Sequence, residues 1–153
     1  WAVATHMAEH LVAAGGRVRF TRTESDDPDT TTRARRANDL GADLFLSLHL
    51  NSHTEPTAEG ASTYYFGGSR AGEALAECVQ NRLAQTGQRD CRSHARSYAI
   101  LKETRMPAVL VEPAFISNPD EAKRLEDPSF QRVVAIAIAN GVIDYFGDQL
   151  PRS

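Results

Sequence analysis

The chain has 153 residues, 41% of them hydrophobic and 24% charged, with a formal net charge of -3 at pH 7. These values suit one globular domain with a real core and exclude a disordered chain. The acidic balance argues against a nucleic-acid binder, no run approaches the roughly 18 apolar residues of a membrane span, and two cysteines make neither a disulfide scaffold nor a four-thiolate metal site.

From the N-terminus, Val3, Met7, Leu11 and Ala14 recur at helical spacing, and Gly15 and Gly16 end that helix. Residues 17–22 alternate polar and apolar around Val18 and Phe20, which predicts a short strand. After a loop, residues 31–40 form a polar, arginine-rich helix, and the nearly all-apolar run 43–50 predicts a strand buried on both faces. A loop over 53–60 leads to a strand over 61–66, favoured by Thr63, Tyr64 and Tyr65. Ser69 is the candidate N-cap of a helix over 69–84, with Leu75, Cys78, Val79 and Leu83 on one face. Residues 88–96 read as a basic loop and 98–101 as a short strand; residues 108–112 are a second apolar strand, ending in a carboxylate. Asn118, Pro119 and Glu121 supply a cap, a first-turn proline and a capping-box acid. Asp127 and Pro128 repeat the signal before a final helix carrying Phe130, Val134, Ile138, Val142 and Tyr145. The alternation of strands and helices predicts an α/β fold: a mostly parallel sheet with helices on both faces, in one domain over residues 1–153.

Two polar residues stand out by position. His49 ends the apolar run from Leu44, and Glu112 ends the run from Ala108. In open α/β sheets the carboxyl ends of the strands form the ligand crevice, so parallel strands bring the two residues to one edge. An imidazole beside a carboxylate suits metal-assisted hydrolysis or acid–base catalysis. The alternative is structural: Glu112 pairs with one of the many arginines and His49 caps a loop.

The run from Asp43 to Ser52, with Ser47, His49 and Asn51, resembles a motif of zinc-dependent N-acetylmuramoyl-L-alanine amidases of the Amidase_3 family, and so does the run from Met106 to Asn118 around Glu112. Thr21-Arg22 and the helix bearing Arg33, Ala37 and Asn38 are similar to further family features in the same order. The resemblance implies hydrolysis of the amide between N-acetylmuramic acid and L-alanine in peptidoglycan. It makes His49 a zinc ligand and Glu112 the catalytic glutamate, with Asn51 of the same motif a candidate substrate-binding residue; Arg96, in the basic loop 88–96, is a further candidate because arginine recognises the carboxylates of peptidoglycan stems, the alternative being a solvated surface loop. It further implies an autolysin-like bacterial protein of the cell envelope or secreted, with muropeptides as partners and a wall-binding domain possible elsewhere in the parent protein.

The same resemblance exposes departures. The family's two other zinc ligands, a His after the first strand and a Glu before the first helix, precede the position that Trp1 matches. The chain therefore reads as an N-terminally truncated amidase domain without its first strand, with an apolar sheet edge exposed and weak or no hold on zinc. Leu50 stands where Ala is usual, and Pro113-Ala114 where an apolar residue and Gly are usual. No regulatory helix is inserted between Asn51 and the strand near Ala61. His6 and His10 have helical metal-binding spacing, yet read as ordinary partly exposed histidines; His53 follows His49 by four in a loop, and His94 reads as a surface or substrate-facing residue. Cys78 reads as a buried thiol, with a disulfide to Cys91 as the alternative. The function that competes with the enzyme is a catalytically inactive, amidase-like regulatory or peptidoglycan-binding module. An unrelated serine hydrolase lacks its G-x-S-x-G elbow here.

Overall fold

A computed structural model describes residues 1–149, so the last four positions of the domain read from the sequence lie outside it. The elements follow in the order α1 (Ala2–Ala13), α2 (Thr30–Leu40), β1 (Phe45–Leu48), β2 (Ala61–Tyr65), α3 (Arg70–Ala84), β3 (Asp90–Ala95), α4 (Ala99–Lys102), β4 (Ala108–Glu112), α5 (Pro119–Glu126) and α6 (Pro128–Gln149). The strands form one sheet in the order β1-β4-β2-β3. β1 runs parallel to β4 and β2 parallel to β3, whereas β2 and β4 are antiparallel. The expected α/β architecture with a mostly parallel sheet is therefore present.

Side-chain alternation sorts the two faces. Val109 and Val111 of β4, with Leu46 and Leu48 of β1, turn towards the larger core, where α3 and α6 contribute Leu75, Val79, Val134 and Ile138. Phe45, Ala108 and Leu110 turn the other way, onto Ala34 and Ala37 of α2 and Ile100 and Leu101 of α4. The all-apolar runs are thus buried on both faces, as parallel strands require. Helices α3 and α6 pack at backbone distance: a Cβ built on Gly141 would lie 2.5 Å from the Val79 Cα.

The caps read from the sequence hold. Ser69 accepts from the Gly72 N–H at 3.0 Å, and Asn118 accepts from the N–H groups of Asp120 and Glu121. Glu121, however, does not close a capping box. Its buried carboxylate accepts from the Gly60 N–H at 3.0 Å and the Phe115 N–H at 2.7 Å, tying two loops together.

Three local expectations are corrected. Residues 17–22 form no strand. A cleft of about 960 Å³ separates them from β1, so their backbone has no ladder to join. Side-chain contacts hold the segment instead: Phe20 packs on Trp1 with ring centroids 5.0 Å apart, and Arg36 donates to the Thr21 carbonyl at 2.7 Å. The basic segment 88–96 is largely the edge strand β3, whose charged residues obscure its pairing with β2 across a register shift. Residues 98–101 enter a single helical turn, α4, because the apolar pair Ile100-Leu101 faces the smaller core without a strand partner.

Candidate active site

The sheet register assembles the site. Leu48 pairs with Val111, and the His49 N–H donates to the Val111 carbonyl at 3.0 Å. His49 and Glu112 are each one residue past that pair, on neighbouring parallel strands and on the face that packs α2 and α4. On the other side of β4, Glu112 pairs with Ser62 of β2, and Leu110 pairs with Tyr64. One row across the sheet is therefore His49, Glu112 and Ser62; the row beneath it is Ser47, Leu110, Tyr64 and His94.

The loops beyond the two strands are also joined. The Asn51 N–H donates to the Ala114 carbonyl at 2.9 Å, and the Ile116 N–H donates to the Asn51 carbonyl at 2.8 Å. These bonds, with Glu121 behind Phe115, fix the spacing of the residues just past His49 and Glu112.

Within this frame the Ser47 hydroxyl lies 3.0 Å from His49 Nε2. Burial lowers the His49 pKa below its ordinary value, and the nearby Arg33 and Arg22 guanidinium groups lower it further. Both effects favour the neutral imidazole, the form that binds metals. Burial acts oppositely on Glu112 and raises its pKa, with the nearby Tyr64 hydroxyl opposing that rise. A carboxylate with a raised pKa is a better proton acceptor.

The other candidates separate clearly. Asn51 sits beside the pair, but its side-chain oxygen accepts from the Ser52 N–H at 2.8 Å. Exposed Arg96 places its guanidinium 5.9 Å from the Tyr64 ring centroid, so it borders the site through that ring. His94 bonds the Cys91 carbonyl and lies against Tyr64. His6 pairs with Glu9, His10 bonds Asn140, and His53 accepts from the Glu55 N–H; none of the three is brought to His49 and Glu112. Cys78 and Cys91 are not joined in a disulfide: Cys78 packs beside the α3 core, and the Cys91 thiol donates to the Glu59 carbonyl.

Sequence reasoning missed Tyr64 and Ser47 at this site. Their alternation with Ser62 and His49 is visible in the sequence, but only the register shows which strand stands beside Glu112.

A neutral imidazole next to a carboxylate is donor chemistry that zinc accepts. Yet no group of three or more His, Cys, Asp and Glu side chains among the described residues is arranged to hold a metal. The described residues offer His49 alone from the expected ligand set, short of the three protein ligands of a catalytic zinc.

Comparison with known proteins gives a consistent result. The Amidase_3 profile, described as N-acetylmuramoyl-L-alanine amidase, matches residues 1–144. The chain is 33% identical over 148 residues to the N-acetylmuramoyl-L-alanine amidase CwlM of Mycobacterium tuberculosis, covering 93% of this chain and 36% of that protein. It is 32% identical over 147 residues to the amidase LytC of Bacillus subtilis, covering 94% of this chain and 30% of that one. The chain thus spans about a third of the length of these curated relatives. Among solved structures, the catalytic domain of CwlV, an N-acetylmuramoyl-L-alanine amidase from Bacillus (Paenibacillus) polymyxa var. colistinus, superposes with a TM-score of 0.89 at 32% identity, covering 95% of this chain and 82% of that domain.

Proposed function

Because this chain belongs to the N-acetylmuramoyl-L-alanine amidase family, we propose that it hydrolyses the amide joining N-acetylmuramic acid to L-alanine in peptidoglycan, with Glu112 as the general base and acid. The observation that carries this reading is the placement of His49 and Glu112 side by side at the ends of β1 and β4. Glu112 accepts a proton from the attacking water as the new C–O bond forms. It then passes that proton to the leaving nitrogen as the C–N bond breaks, releasing a lactyl carboxylate and an L-alanine amine. His49 is the ligand these residues would give to a zinc ion. Arg96, and Asn51 through its amide nitrogen, border the substrate, and Arg96 suits a stem-peptide carboxylate. Muropeptides of the bacterial envelope are the partners this reading implies.

The test is mass spectrometry of purified muropeptides incubated with the full protein and zinc. Hydrolysis at this bond releases stem peptides with a free L-alanine amine and saccharides with a free lactyl carboxylate. Muropeptides cut instead between sugars, or within the stem, would contradict the reading. A non-catalytic peptidoglycan-binding module is the second reading, favoured by the absence of a metal cluster among the described residues; saturable muropeptide binding with no released amine would establish it.

A further inference from the structure

We infer that Tyr64 is a positioning residue for the reaction, orienting the Glu112 carboxylate through its hydroxyl; this rests on the reading of Glu112 as the acid–base group. The argument begins with register. In the antiparallel pair, Ser62 stands opposite Glu112 and Tyr64 opposite Leu110, so all four side chains lie on one sheet face. The Tyr64 side chain extends along that face towards Ser62, whose hydroxyl donates to the Tyr64 oxygen at 3.0 Å.

That bond sets the direction of the next one. With the Tyr64 oxygen accepting from Ser62, the residue directly opposite Glu112, the phenol stands beside the Glu112 carboxylate with its own proton free to turn towards it. The result is a relay of orientation, Ser62 to Tyr64 to Glu112, drawn from two strands. A phenol donating to one carboxylate oxygen leaves the other for water and the leaving nitrogen. Ser62 is almost fully buried, so the first bond is sheltered from solvent competition.

The ring is itself held. Tyr98 meets it edge-on at 5.5 Å between centroids, His94 lies at 5.8 Å, and the Arg96 guanidinium sits 5.9 Å from its centroid. Contacts from β3 and the segment after it restrict the ring, and a restricted ring fixes where its hydroxyl points. This geometry gives Tyr64 a purpose beyond filling the smaller core. A group that orients a catalytic side chain through one hydrogen bond contributes to turnover more than to substrate affinity.

The test is Tyr64→Phe, which removes only the hydroxyl, measured in the full protein supplied with zinc and muropeptides. The expected result is a loss of about tenfold in kcat with KM within about twofold, the scale seen for partners that orient functional groups. In a double-mutant cycle, Y64F added to E112Q lowers the residual rate by no further factor. Ser62→Ala gives a smaller loss in the same direction. A readout independent of turnover is the ¹³C resonance of the Glu112 carboxyl in zinc-free protein, assigned with E112Q, which moves in Y64F. Wild-type kcat in Y64F while E112Q is inactive, an undiminished effect of Y64F in the E112Q background, or an unmoved Glu112 resonance would overturn the assignment of Tyr64 alone. Wild-type turnover in E112Q would instead overturn the reading of Glu112 and this inference with it.

Discussion

His49 and Glu112 end neighbouring parallel strands, each one residue past the paired Leu48 and Val111, and the His49 N–H donates to the Val111 carbonyl at 3.0 Å. Backbone pairing, rather than a flexible loop, therefore sets the separation of the imidazole and the carboxylate. The two apolar runs that bury the strands also deliver the chemistry to one edge. Any change that slips β1 against β4 moves the site as well as the core.

Glu121 supports the site from behind. Its carboxylate satisfies the Gly60 and Phe115 N–H groups in a buried setting. Glu121→Ala leaves both donors unsatisfied and is expected to cost about 3 kcal/mol in urea denaturation. Glu121→Gln keeps an acceptor and is expected to cost less. A loss under about 1 kcal/mol for the alanine variant would show that water replaces the carboxylate at little cost.

The α3–α6 packing carries a pH-dependent contribution. Arg82 donates to Asp144 at 2.5 and 2.9 Å, and that hydrogen bonding lowers the Asp144 pKa below 3.8. A carboxylate depressed in the folded state adds stability that is complete above the unfolded value and is lost as the pH falls through the folded one. The contribution is small because both side chains are 38% exposed and screened by salt. Asp144→Asn is thus slightly less stable than the parent at pH 7 in urea titrations, and the difference narrows below pH 3.8. A difference that widens on acidification would contradict this.

Zinc retention follows from the ligand set. With His49 alone from the expected ligands, the 153-residue chain is expected to lose zinc on gel filtration, and elemental analysis is expected to find far less than one ion per chain. His49→Ala then changes the metal content little. Stoichiometric zinc surviving gel filtration would mean that the described residues build a metal site in solution that their present arrangement lacks.

Much of this architecture was legible in the sequence because its signals are local. The apolar runs ending in His49 and Glu112 needed only the rule that strand ends form the crevice, and the caps at Ser69 and Asn118 needed only their neighbours. The missed features depend on distant partners. Tyr64 acquires its place from an antiparallel pairing with β4 that no local pattern announces. Glu121 looks like a capping-box acid until Gly60 and Phe115 fold around it. Residues 90–95 are a strand because β2 lies alongside, despite their charge; residues 17–22 are not, because β1 does not reach them.

The central claim is that Glu112 transfers the proton in amide hydrolysis. Its most direct measurement is kcat for Glu112→Gln, a nearly isosteric change that removes the basic oxygen, in the full protein with zinc and purified muropeptides. The account predicts a loss of at least about 100-fold in amine release, with the urea midpoint unchanged. An E112Q protein that releases L-alanine amines at the parent rate would contradict it.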